Sequence, residues 1–181
     1  MAVDIPVVID VEASGFGAGS YPIEIGFVLG SGASFCTLVT PLPEWQHWDD
    51  EAATVHGIDR DILQLNGKPA REVAFWLNEH LAGQVVFSDG WAQDNTWISR
   101  LFNDVDVLMR FRVQTIRYLM DEQQLQFWQQ ARDQAAGAIS GRHRASADAR
   151  IVQQAYLLSR EMGQGAVASK SRSQSLWSGK S

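Results

Sequence analysis

The chain has 181 residues, 45% apolar and 20% charged, which describes one ordinary globular domain with room for a sizeable core. Its formal net charge of −6 excludes a protein that holds nucleic acid by bulk positive charge, so a polyanionic partner must be met locally or through metal ions. The single cysteine, Cys36, rules out an internal disulfide and a cysteine metal cluster and fits a reducing compartment. There is no basic-then-apolar leader and no apolar run of ~18 residues, so the expected location is the cytoplasm, with no membrane contact.

In chain order, residues 5–11 read as a buried strand of β-branched residues. Ser14 to Ser20 is a Gly-rich loop. Residues 22–29 and 33–39 read as strands joined by the tight turn Gly30-Ser31-Gly32, an antiparallel hairpin ended by Pro41 and Pro43. A Trp-rich loop with Trp45 and Trp48 leads into a short helix with acids in its first turn, ended by Gly57. Residues 69–81 form an amphipathic helix with Val73, Trp76, Leu77 and Leu81 at helical spacing. Residues 84–88 are a short buried strand and 92–103 a helix, while 105–120 has both strand-like and helix-like stretches. A Gln-rich helix is expected over 121–136, then a loop marked by Gly137, Ser140 and Gly141, then a strong helix over 145–162. Residues 163–181 are Ser/Gly-rich with Lys170, Arg172, Lys180 and no acid, and read as a flexible polar tail after a domain of residues 1–162.

That order predicts an α/β domain with a mixed five-stranded sheet, one antiparallel edge and parallel additions, flanked by helices. Sites in such sheets lie at the carboxyl ends of central strands. Asp10 and Glu12, in Val7-Val8-Ile9-Asp10-Val11-Glu12, lie at such an end and on one face, because side chains alternate along a strand. Two like charges on a central strand are costly unless a cation sits between them. Asp94 follows the strand 84–88 near a helix start, where an Asp can also serve only the helix dipole. His143 and Asp148 flank the start of the helix 145–162; as an isolated pair they would read as structural.

Taken together, Asp10-Val11-Glu12 with Ser14-Gly15, then Asp94, then His143-x-Ala145-x-x-Asp148-Ala149 resemble the three exonuclease motifs of the DEDDh 3′→5′ exonucleases. That family includes ribonuclease T, oligoribonuclease and the proofreading subunit of bacterial DNA polymerase III. The resemblance covers roughly residues 5–160. Pro22-Ile23-Glu24-Ile25-Gly26 is similar to the family's second strand, and Val55-His56-Gly57-Ile58 to a segment near its nucleotide pocket. Ser146 stands where many relatives carry a larger apolar residue and Ser14 where many carry Thr; neither change removes a ligand.

The resemblance implies a ribonuclease H-like fold and metal-dependent hydrolysis of single-stranded DNA or RNA from its 3′ end, releasing nucleoside 5′-monophosphates. It implies two divalent cations, Mg²⁺ or Mn²⁺. Asp10 would bridge them, Glu12 and Asp148 would bind the one carrying the attacking water, and Asp94 would hold the other through water. His143 would accept the proton from that water. Physical chemistry suits these roles: two ions ~3.5–4 Å apart clamp attacking and leaving oxygens, carboxylates prefer hard ions, and a His titrates near working pH. Ribonuclease T-like relatives are often dimers, so a homodimer is compatible with the resemblance. A catalytically idle nucleic-acid-binding or polymerase-associated module of the same fold is the alternative, and the presence of every catalytic-type residue argues against it.

On the substrate side, Ala13, Ser14, Gly15 and Phe16 resemble the family segment that cradles the 3′-terminal nucleotide. Phe16 is either a stacking surface for a base or part of the core. His56 either touches the terminal nucleotide or is simply favoured by the helix dipole. Trp76 and Trp97 fit core positions. Trp45, Trp48 and Trp91 lie in loops, where packing or base stacking are both open.

Overall fold

In a computed structural model, which describes residues 4–139 and 143–177, the first strand occupies the middle of the architecture. Among the described residues one sheet has six strands in the order β4-β3-β2-β1-β5-β6. β1 (Val8–Ala13) pairs antiparallel with β2 (Pro22–Val28), and β2 antiparallel with β3 (Ser34–Thr40). On its other side β1 runs parallel to β5 (Val85–Ser88), and β5 parallel to β6 (Arg112–Thr115). β4 (Lys68–Pro69) is the strand beyond the predicted five; with only two residues, parallel to the end of β3, it carries no periodic signal. β1 also ends later than predicted, so Asp10 and Glu12 both lie inside it, and a register shift follows directly after Glu12.

The helices follow their caps. α1 (Asp50–His56) starts where the Asp49 carboxylate accepts from the Glu51 and Ala52 amides, and stops at Gly57, whose φ of +68° only glycine adopts without strain. α2 (Arg60–Asn66) was not anticipated. It is too short for a hydrophobic period, yet its signals are in the sequence: the Asp59 carboxylate caps the Ile62 amide at 2.8 Å, and Gly67 follows. α3 (Ala70–Leu81) and α4 (Trp91–Asp104) lie close to their predicted spans. The ambiguous stretch 105–120 resolves into a loop, β6 and a 3₁₀ turn at Ile116–Leu119. α5 (Glu122–Ala138) runs through Gly137, which was expected in a loop; a helical glycine costs roughly 1 kcal/mol, which tertiary packing offsets. α6 (Ala145–Trp177) starts where expected and continues past residue 162, where composition suggested a boundary. Ser140, Gly141 and Arg142 of the predicted loop, and residues 178–181 of the predicted tail, lie outside the described residues.

Alternation on the central strands sorts side chains to two faces. Ile9, Val11 and Ala13 of β1 and Ile23, Ile25 and Phe27 of β2 pack with Val73, Leu77 and Leu81 of α3 and Ile98 and Leu101 of α4 in one buried cluster. Each fully buried aliphatic side chain there contributes about 1.5–3 kcal/mol relative to exposure. On the other face Val8 and Val28 meet Trp128, Ala131 and Ala135 of α5 and Ala149, Val152, Ala155 and Tyr156 of α6. The Gln-rich segment thus has a structural role: Asp121 caps α5, and Gln124 turns inward to donate from Nε2 to the Tyr156 carbonyl at 3.0 Å and to Ser159 Oγ at 3.1 Å. By the period of two, Asp10 and Glu12 share this second face with Val8, so they look toward α6. Among the described residues no helix is long and apolar enough to cross a membrane.

Candidate metal centre and adjoining cavity

Three elements converge on the carboxyl end of β1. β1 supplies Asp10 and Glu12, the first turn of α6 supplies Asp148, and the first turn of α4 supplies Asp94. One carboxylate oxygen from each of Asp10, Glu12 and Asp148 lies within 4.8 Å of the others. Asp94 stands outside this tight trio. It is buried and accepts a hydrogen bond from Ser88 Oγ of β5. Its charge still acts on the trio, being the largest carboxylate influence on Asp10. The structure thus brings Asp10, Glu12 and Asp148 together with Asp94 nearby, and Ser88, the last residue of β5, which the sequence did not mark, is the group that holds Asp94.

Crowding leaves an electrostatic signature. Burial, then the charges of Asp94, Glu12 and Asp148, push the Asp10 carboxyl well above the usual range, opposed by Arg132, which pairs with Asp89. Glu12 is pushed to about 7 by burial, Asp148, Glu24 and Asp94, against the pull of Arg144. Asp94 is raised to about 7 by burial, with its Ser88 hydrogen bond working the other way. Half-buried carboxylates this close cannot all stay ionised near neutrality without a nearby positive charge. The donors of the trio are all hard oxygens, with no thiolate and no imidazole among them, which fits Mg²⁺ or Mn²⁺.

His143 precedes α6 with φ at +62°, a left-handed conformation uncommon for a residue with a side chain. Its amide donates to Asp148 Oδ2 at 3.1 Å, so the backbone before the helix and the carboxylate inside it are tied together. Such conformations concentrate at functional sites when the surroundings enforce them.

Beside the acids lies a cavity of about 360 Å³ lined by Val11, Glu12, Ala13, Gly15, Phe16, Ala52, Val55, His56, Gly90, Gln93, Asp94 and Trp97. Phe16 is 72% exposed and faces Trp97 at 5.8 Å between ring centroids, so it is a wall of the cavity and not a core residue. Trp97 keeps the predicted core position and also lines the cavity, with its Nε1 bonded to Ser20 Oγ at 2.8 Å. His56 is buried; its Nδ1 accepts from the Ile58 amide at 3.1 Å, which leaves the proton on Nε2, on the side of the Ala13 backbone. Burial, with the neighbouring His143 as a smaller cause, lowers its pKa and keeps the ring neutral.

Ser14 does not reach the cavity. Its hydroxyl is buried, bonded to His47 Nδ1 at 3.1 Å and to the Tyr21 amide at 3.1 Å. It shapes the loop instead, and His47, which carried no role in the sequence, is its partner across 33 positions. Gly15 has φ at +136°, and a Cβ there would stand 2.6 Å from Asp49 Cβ, so only glycine lets the loop close on α1. Trp45 is a packing residue, stacked on Tyr21 and donating from Nε1 to Asp104 at 2.6 Å. Trp91 stays 41% exposed at the start of α4.

By sequence, no family model and no curated protein matches the chain. By structure, it is similar to E. coli exonuclease I in complex with a dT13 oligonucleotide, at a TM-score of 0.65 and 10% identity over 91% of this chain and 42% of that one. It is similar to the zinc-ion-bound form of the E. coli exonuclease I–ssDNA complex, at a TM-score of 0.62 and 11% identity over 81% of this chain and 38% of that one. A moderately thermophilic exonuclease I from Methylocaldum szegediense aligns at a TM-score of 0.57 and 15% identity over 81% and 38% of the two chains. The chain thus spans about two fifths of the length of these proteins. The likeness establishes the fold: a mixed sheet flanked by helices, of the ribonuclease H-like kind seen in those exonucleases.

Proposed function

We propose that the chain is a metal-dependent 3′→5′ exonuclease of the DEDDh kind, acting on single-stranded DNA or RNA and releasing nucleoside 5′-monophosphates. The observation that carries this reading is the carboxylate trio of Asp10, Glu12 and Asp148, with oxygens within 4.8 Å, set at the edge of an aromatic-walled cavity. The fold shared with exonucleases solved on single-stranded DNA supports it.

Asp10, Glu12, Asp148 and Asp94 would hold divalent cations, which when bound neutralise the phosphodiester and acidify water. The chain's own residues do the rest. Phe16 and Trp97 offer faces for a terminal base, and Ala13 and Gly15 let backbone come close to the sugar. The neutral His56 forms part of the cavity wall. His143 takes the proton from the attacking water, a role that a nearby imidazole performs well at neutral pH. Ser88 keeps Asp94 oriented. Arg132 and Arg144 temper the acids from either side without entering the trio.

An end-labelled single-stranded oligonucleotide, DNA and RNA in parallel, incubated with Mg²⁺ tests the reading. The expected product is a ladder shortened from the 3′ end that EDTA abolishes. An internal cut, or no product with either strand, overturns it.

A further inference from the structure

On the face that carries the site, the cross-strand neighbour of Asp10 is Gly26 and that of Glu12 is Glu24. Two carboxylates directly opposite on paired strands destabilise a sheet, and a fully buried one is costly unless paired. Glu24 is paired completely. It accepts from Arg144 Nε at 2.9 and 3.1 Å, from Arg144 Nη2, and from the Ala145 amide at 2.9 Å. Both of its oxygens are thereby occupied, so it is no metal ligand. Arg144 and the Ala145 amide belong to the start of α6, where the first amides have no partner within the helix, and the Cys36 thiol of β3 bonds Glu24 as well.

The contact is reinforced two residues along β2. A Cβ on Gly26 would overlap the backbone of Ala145 and Ser146, standing 2.6 Å from Ser146 Cα. Strand and helix therefore touch backbone to backbone at Gly26 and are tied by charge at Glu24. The same first turn carries Asp148, which is bonded to the His143 amide.

We propose that Glu24 is a positioning residue: through Arg144 and the Ala145 amide it sets the first turn of α6 on the sheet, and so places Asp148 and His143 against Asp10 and Glu12. The proposal rests on the exonuclease reading of that site. Its chemistry is indirect, since Glu24 touches neither substrate nor reacting atoms.

The test compares wild type, Glu24→Gln, Arg144→Gln and Arg144→Lys as full chains, below their melting temperatures. Mn²⁺ affinity is measured by calorimetry without nucleic acid, and kcat and KM on a single-stranded oligonucleotide. Removing a partner that orients a ligand typically costs about 10–100-fold in metal affinity or rate. Glu24→Gln and Arg144→Gln should both weaken Mn²⁺ by such a factor and lower kcat similarly, with KM changed by less than about twofold. Arg144→Lys, which keeps the charge but not the forked geometry, should fall between wild type and Arg144→Gln. If the pair acted only by charge, the two glutamine variants would move in opposite directions, because one removes a negative and the other a positive neighbour of Glu12. Tighter Mn²⁺ binding by Arg144→Gln therefore overturns the proposal. So does a lower melting temperature with unchanged affinity and kcat. Should Glu24→Gln not fold, the two Arg144 variants decide alone, because that side chain is 52% exposed. A wild type that binds no Mn²⁺ sinks the exonuclease reading itself, an outcome distinct from wild type and variants binding alike.

Discussion

The two faces of β1 and β2 are built from the same strands and do different work. Toward α3 and α4 they present Ile9, Val11, Ile23, Ile25 and Phe27, all buried in one apolar cluster. Toward α6 the alternate positions read Val8, Asp10, Glu12 and Val28, Gly26, Glu24, an apolar start that gives way to charge. The first face stabilises the fold by removing hydrocarbon from water. The second keeps that gain only at its Val8–Val28 end and holds like charges together at the other. The lesson is that a strand with a period of two can keep one side apolar along its length and give over the end of the other to charge.

The most severe way to break this contrast is at the acids. Asp10→Asn and Asp148→Asn should reduce cleavage of a single-stranded oligonucleotide to the background rate and abolish tight Mn²⁺ binding. Both should remain folded by circular dichroism, because the variants remove repulsion from the trio. Near-normal turnover in Asp10→Asn would refute the proposed site. Next in size, His143→Ala should lower kcat by about 10²–10⁴-fold while leaving Mn²⁺ affinity close to wild type, since a general base is lost and no ligand is. On the opposite face, Ile25→Ala should cost about 2–5 kcal/mol of stability in urea titration. Below its melting point that variant should keep kcat; a loss of turnover matching the acidic variants would erase the distinction between the faces.

The sequence carried most of this unevenly. Periods and caps located β1–β3, α1, α3, α4 and α6, because buried alternation and helical spacing are local properties. The acids stood out only through the motif resemblance, since each of Asp10, Glu12, Asp94 and Asp148 alone reads equally well as a structural residue. What stayed hidden depends on distant pairs. Nothing local to Ser14 points to His47, nothing in β5 marks Ser88 as the partner of Asp94, and nothing in β2 points Glu24 to Arg144, 120 positions away. α2 and β4 were missed for the opposite reason, being too short to show a period. Phe16 was undecidable from sequence because a wall of a cavity and a core residue share the same apolar side chain.

The smallest effect expected is also the one that separates the faces without any nucleic acid. Glu12 and Asp94 titrate near 7 in the folded chain, against about 4 for free carboxylates. Between those pH values the folded chain keeps protons that the unfolded chain has released, so metal-free stability must fall as pH rises through the window. In EDTA the melting temperature should drop measurably between pH 5 and pH 8, and millimolar Mg²⁺ should restore it at pH 8, the cation replacing the lost protons. Glu12→Gln should flatten the EDTA profile. Ile25→Ala should lower the whole profile and leave its slope unchanged, because it alters buried hydrocarbon and no titrating group. A wild-type profile in EDTA that is flat or rising over this range would mean that the carboxylates of the second face are not held together as the geometry requires.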